Sequence, residues 1–151
     1  MPHVRVAAKA IVIRYGRVLV TRNMDDDGPF FLLPGGGQEH GETLPEALRR
    51  EFMEEVGVPI EVNELVLVRD YIARNHEFAD EDDVHQLELC FRCTLGAAEI
   101  PVNGPHPDTW QVGVEWLDLA DLDEARLYPG VLTNILPDLD RLPTIYVGDV
   151  N

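Results

Sequence analysis

The sequence predicts an α+β fold, and three observations carry that expectation. Short segments rich in β-branched residues recur along the chain, one strongly amphipathic helix sits among them, and a second helical stretch closes the pattern. Val4 to Ile13 is dense in β-branched residues, Tyr15-Gly16-Arg17 is a turn signal, and Val18 to Thr21 follows, which together read as a hairpin. Asn23 to Pro29 reads as an acidic loop, and Phe30 to Leu33 as a short strand stopped by Pro34. Gly35-Gly36-Gly37 is expected to lie outside regular structure. A helix is predicted from Thr43 to Val56: Thr43 and Glu46 form a capping box, Pro45 falls in the first turn, and Gly57 stands where a C-cap belongs. Strands are expected near Ile60 to Val62, Leu65 to Ala73 and Val84 to Cys93, with an acid-rich loop from Asn75 to Asp83. Gly96 to Asp108, with three prolines and two glycines, reads as a long irregular connection. Gln111 to Leu117 is a further strand, and two short helices are expected between Leu119 and Leu139. With no internal repeat and no linker, residues 1–151 read as a single domain.

Composition narrows the partners. The chain carries 28 acidic against 12 basic residues in 151, a formal net charge of −16, while 45% of its residues are hydrophobic. That hydrophobic share is typical of a folded domain, so the acid surplus does not signal disorder. The surplus argues against nucleic acid and anionic membranes as partners, because both need a basic footprint. The apolar stretch from Val4 to Val20 is interrupted by Lys9, Arg14 and Arg17, so it reads as neither signal peptide nor membrane span, and a cytoplasmic location is expected. Cys90 and Cys93 have no second pair to complete a zinc site. On a strand their spacing puts them on opposite faces, as structural thiols.

The central helix is unusual in where it puts its acids. Leu44, Leu48, Phe52 and Val56 recur every fourth position as an apolar stripe. At about 100° per residue, Glu51 and Glu55 project within about 20° of Leu44, and Glu54 lies about 60° from Glu51. Like charges at this spacing destabilise a helix by a few tenths of a kcal/mol. A solvated acidic face is the bland explanation, but these carboxylates border the buried stripe and follow a glycine loop. Hard divalent cations take oxygen ligands, and Mg²⁺ in particular combines a few carboxylates with substrate phosphates. Arg50, four residues before Glu54 and four after Glu46, can orient a carboxylate and reduce repulsion.

Gly36, Glu42 and the run from Arg50 through Glu51, Glu54, Glu55 and Gly57 to Val58 resemble the Nudix box, G-x5-E-x7-R-E-U-x-E-E-x-G-U, where U is a bulky aliphatic residue. Every fixed position matches over 23 residues; the one soft departure is Phe52, an aromatic at an aliphatic position, which bears on packing alone. Pro34-Gly35-Gly36, Glu39 and Gly41 are similar to the family's loop. Glu115-Trp116-Leu117 resembles its late strand more weakly.

The resemblance implies a Nudix α/β/α sandwich with a mixed central sheet, and metal-dependent hydrolysis of a diphosphate linkage in a nucleoside diphosphate derivative. It implies Mg²⁺, with Mn²⁺ as a substitute. By position, Glu51, Glu54, Glu55 and the Gly36 carbonyl would hold metal, and Arg50 would orient the cluster. Glu42 would tie the loop to the helix, and one of the glutamates or a loop carboxylate would take the proton from the attacking water. Glu88 is either a further metal ligand, the base, or a solvent-facing strand residue. His85 and Gln86 are candidates for touching a base or phosphate. Nucleoside triphosphates, nucleotide sugars, dinucleoside polyphosphates and capped RNA ends all stay open, with long RNA the poorest fit to the charge. Relatives are often homodimers, though nothing in the sequence marks an interface. The reading from another class is a catalytically silent nucleotide sensor, which would be expected to have lost glutamates that this chain keeps.

Overall fold

The computed structural model describes residues 2–76 and 84–151, so most of the acidic loop expected over Asn75 to Asp83 lies outside the described residues. The hydrophobic residues sort into two clusters on opposite sides of one sheet. That sheet is mixed, in the order β10-β6-β7-β1-β5, built from β1 (Arg5–Ile11), β5 (Gly35–Gly37), β6 (Ile60–Ile72), β7 (His85–Leu95) and β10 (Tyr146–Asp149). Strands β1 and β7 run parallel, as do β10 and β6, while β5 and β6 pair antiparallel with β1 and β7. A second sheet centres on β3 (Arg17–Asp25), flanked by β2 (Ile13–Arg14), β4 (Gly28–Leu32) and β8 (Gln111–Asp118), with β9 (Leu127–Tyr128) beyond β4.

Alternation along β1 sets the two faces. Ala8, Ala10 and Val12 pack with Leu48, Phe52 and Val56 of helix α1 (Leu44–Val56). Ile11 points the other way, toward Val18, Val20, Phe31 and the C-terminal turns around α2 (Leu132–Ile135). Helix α1 begins as expected, with Thr43 Oγ1 accepting from Glu46 N, and ends on Gly57 in the left-handed conformation. Phe52 is completely buried, so the aromatic departure fills core volume.

Several expectations need correction. Gly35 to Gly37 form a strand after all, because they pair with Lys9, Ala8 and Ala7 at very close range. A Cβ on Gly35 would fall 2.1 Å from the Ala8 carbonyl oxygen, so the glycine run is a condition for the pairing. The acidic segment after Asn23 is a hairpin whose strands reach Asp25 and Gly28. The two strands expected before Ala73 are one, with register shifts around Asn63 and Glu64 that mark a bulge. The region from Leu119 to Leu139 holds 3-10 turns, the short strand β9 and the one-turn helix α2 in place of two regular helices.

The irregular connection from Gly96 to Asp108 has a structural task at the end of α1. The last carbonyls of a helix lack intrahelical partners. Here Val102 N donates to Val56 O at 3.0 Å, Gly104 N to Glu55 O at 2.8 Å, and His106 N to Glu54 O at 2.9 Å. The helix turn that carries the box glutamates is thereby fixed from outside.

Candidate active site

Arg50 is the hub of the acidic cluster. Its Nε and Nη2 donate to the two oxygens of Glu42 at 2.7 and 2.8 Å, and Nη2 also donates to Gly37 O at 3.0 Å. Nη1 donates to Glu51 Oε1 at 3.0 Å and lies 3.7 Å from Glu54 Oε2. The planar fork thus ties the glycine strand, the loop and the helix together. Arg50 and the Glu39 N–H hold the Glu42 carboxyl down at about 2.

Glu51 and Glu55 sit in drier surroundings. Burial raises the Glu51 carboxyl, Arg50 partly offsets that, and Glu54 and Asp108 add to the rise. Glu55 is only 3% exposed, and its Oε1 accepts from Gly35 N at 2.8 Å. Burial pushes it up to about 7 against the opposing pull of Lys9 and the Gly35 N–H. Gly36 lies directly against Glu51: a Cβ there would fall 2.5 Å from the carboxyl carbon. Only glycine leaves room for the carboxylate beside the strand.

Among the described residues, no three His, Cys, Asp or Glu side chains already converge as a metal cage. Arg50 engages Glu51, and Glu55 is turned onto the Gly35 N–H. The donor set itself, carboxylate oxygens beside a main-chain carbonyl, is nevertheless of the hard type that Mg²⁺ and Mn²⁺ take.

Glu88 is buried on β7, so the solvent-facing alternative is wrong. It is 7% exposed and paired with Arg69 Nε at 3.0 Å, and Gln86 Nε2 donates to its other oxygen at 2.7 Å. Burial would raise its carboxyl, but Lys9, Arg69 and Gln86 outweigh that and hold it low. Gln86 and Glu88 line a cavity of about 560 Å³ walled by Phe30, Tyr71, Trp110 and Tyr128. His85 is engaged elsewhere, its Nε2 2.8 Å from Asp70 Oδ1. Cys90 and Cys93 are buried on opposite faces of β7, as expected, and burial pushes both thiols up to about 12.

Three contributors were not singled out from sequence. Asp108 acts electrostatically on both Glu51 and Glu55 from the far connection. Lys9 acts on Glu55 and Glu88. Arg69 pairs with Glu88. For Lys9 a signal existed: it is the one charged residue in the apolar run from Val6 to Val12, where burial demands a partner.

The mixed sheets and the glutamate-bearing loop and helix define a hydrolase class that comparisons with known proteins identify. The chain matches the NUDIX domain family over residues 3–139. It is 34% identical over 122 residues to nucleoside triphosphatase NudI of Enterobacter sp. (strain 638), covering 76% of this chain and 86% of that protein. Its fold matches a NUDIX hydrolase from Nitrosomonas europaea with a TM-score of 0.73 at 17% identity, over 91% and 89% of the two chains. A MutT NUDIX hydrolase from Burkholderia pseudomallei gives a TM-score of 0.63 at 27% identity, over 80% and 87%. The chain belongs to the Nudix hydrolase family, as a pyrophosphohydrolase with the α+β Nudix sandwich. Members of the family generally use divalent cations such as Mg²⁺. Among the described residues no helix is long and apolar enough to cross a membrane.

Proposed function

We propose that this chain hydrolyses the diphosphate linkage of a nucleoside diphosphate derivative, with nucleoside triphosphates as the first class to test. The observation that carries the reading is the wedge of Glu51, Glu54 and Glu55 on α1, gathered by Arg50 beside Gly36. The similarity to a protein named nucleoside triphosphatase supports the choice of substrate class.

Glu51, Glu54, Glu55 and the Gly36 carbonyl would hold Mg²⁺ or Mn²⁺. When bound, the cation neutralises phosphate oxygens and lowers the pKa of water. To hold it, Glu51 and Glu54 would turn from Arg50, which keeps its bidentate pair with Glu42. One of these glutamates, or a loop carboxylate, would accept the proton of the attacking water. Residues 1–151 act in this reading as one domain. Two buried free thiols fit the reducing conditions of a cytoplasmic location.

The test is a phosphate- and pyrophosphate-release screen over nucleoside triphosphates, nucleotide sugars and dinucleoside polyphosphates, with Mg²⁺, Mn²⁺ or chelator. Turnover that needs the cation, with a nucleoside monophosphate as product, is expected. Absence of turnover on every compound would refute the proposal.

A further inference from the structure

Of the 12 basic residues in the sequence, Lys9 alone is a lysine. A chain that otherwise uses arginine places its one compact ammonium half-buried in the middle of β1. Alternation along the strand puts Lys9 on the face of Ile11, between the two sheets, and its register partner is Gly35. A cation in such a place needs partners, because an unpaired charge in a partly dry site is costly.

The partners it has are weak. Nζ donates to Leu33 O and Gly35 O, both at 3.4 Å, beyond the about 2.9–3.0 Å usual for such a bond. Its charge acts on both Glu55 and Glu88, yet among the described residues Lys9 forms no ion pair. Arg50, Arg69 and Arg126, by contrast, each hold a carboxylate at 3.0 Å or closer. A lysine serving only as a counter-ion would close on one of its two carboxylates. An ammonium carries three donors, so Lys9 keeps donor capacity in hand.

That capacity meets a small cavity. Lys9, Arg69 and Glu88 line a space of about 60 Å³ with Leu33, Tyr128 and Pro129. It has room for a few waters or one tetrahedral oxyanion, and too little for a nucleobase. Arg69 commits Nε to Glu88 and Nη1 to the Val150 carbonyl, and its Nη2 makes no hydrogen bond among the described residues. Two cations against the ionised Glu88 leave the lining with a net positive charge. An internal phosphate of a polyphosphate chain carries a single negative charge, so charge and size agree.

Lys9 also joins this cavity to the box. Its Nζ donates to Gly35 O, and Gly35 N donates to Glu55 Oε1 at 2.8 Å. The next residue is Gly36, which lies against the Glu51 carboxylate. A phosphate on Lys9 therefore stands beside the residues that gather the acidic cluster.

We propose that Lys9, with Arg69 beside it, binds a phosphate of the substrate's diphosphate linkage in this cavity. The inference rests on the nucleotide reading above and adds the residue that seats the phosphate. The bound phosphate takes the N–H groups that no carboxylate takes, and the ammonium faces the charge that develops on its oxygens during hydrolysis.

Because the chain has one lysine, protein grown with isotope-labelled lysine carries a single side-chain ammonium reporter. Its Nζ resonance in the parent is expected to shift on adding α,β-methylene analogues of ATP, GTP, CTP and UTP in Mg²⁺. The corresponding nucleosides should leave it in place. A resonance unmoved by an analogue that tryptophan fluorescence shows to be bound would overturn the proposal. Lys9→Met removes the charge at similar length. Its affinity for the tightest analogue should fall about 10- to 100-fold, the range for a hydrogen bond to a charged group, and kcat/KM should fall with it. Affinity for Mn²⁺ alone, read by water proton relaxation, separates this role from a structural one. Removing a cation near Glu55 keeps or raises that affinity, whereas removing a prop for Gly35 lowers it. Lowered Mn²⁺ affinity in Lys9→Met, or unchanged analogue affinity, would overturn the proposal. Analogue binding that shifts the Lys9 resonance, without hydrolysis by the parent, refutes the proposed function and upholds the phosphate site. Hydrolysis by the parent with full activity kept in Lys9→Met does the reverse, and neither binding nor hydrolysis refutes both.

Discussion

Replacing Gly104 by Ala tests whether the connection from Gly96 to Asp108 secures the catalytic helix. The new Cβ would fall 2.2 Å from Glu54 O and 2.6 Å from the Glu55 carbonyl carbon, both backbone atoms that cannot rotate away. Real Cβ contacts essentially never fall under 3.0 Å, so the loop or the helix end has to move. Overpacking of this kind costs about 1–3 kcal/mol. The shift also endangers the bonds from Gly104 N to Glu55 O and from His106 N to Glu54 O, each worth about 1 kcal/mol net. The expected loss is therefore about 2–4 kcal/mol. Urea denaturation measures it, with Gly113→Ala as control. Gly113 lies in β8 with nothing within 4 Å of an added Cβ, so its substitution should be neutral or slightly stabilising. Turnover of Gly104→Ala should fall as well, because Glu54 and Glu55 sit on the displaced turn. A stability within about 0.5 kcal/mol of the control would refute the capping role.

Glu42→Gln should lower kcat by about 10- to 100-fold, the usual range for a group that orients metal ligands, with substrate KM less affected. Steady-state kinetics checks this, and unchanged kcat would deny Arg50 its anchor in the loop. For Asp149, burial raises the carboxyl but Asn75, His76 and the Ile72 N–H outweigh it and hold it at about 2. A depressed folded-state value means the stabilisation is present above the ordinary value near 3.8 and lost as pH falls through about 2. Titration of its carboxyl carbon by NMR should place the midpoint there, and a midpoint near 3.8 would contradict the tie to β10. Cys90 and Cys93 should resist a thiol reagent such as dithionitrobenzoate in the native protein and react on unfolding, since both are buried and their thiolates suppressed.

The legible parts of the fold were those with local causes. The cap at Thr43, the left-handed Gly57 and the stripe through Phe52 placed α1 from sequence alone, because each depends on neighbours within a turn. The box spacing likewise named the acidic cluster before any contact was visible. What escaped has long-range causes. The glycine strand exists only because Ala7, Ala8 and Lys9 of β1 pair with it from 26 to 30 positions away in the chain. Strand β10 depends on β6 and on the carboxylate of Asp149, and its four residues show no alternation that would mark it. The surroundings of Glu88 were half legible: Glu88 and Gln86 stood out as polar residues on a strand, but Arg69, which stands opposite Glu88, is known only from register. Asp108 lay in a stretch whose prolines and glycines hid its role at the end of α1.

The central claim is that the carboxylates of α1 carry hydrolysis of the diphosphate. Turnover of nucleoside triphosphates by Glu54→Gln at saturating Mg²⁺ measures it most directly. Glu54 is the most exposed of the three box glutamates along α1, so the substitution keeps packing and removes charge. A fall in kcat of at least about 100-fold, with the parent's thermal midpoint in chelator retained, is the outcome predicted. Near-normal hydrolysis by that variant would contradict the account.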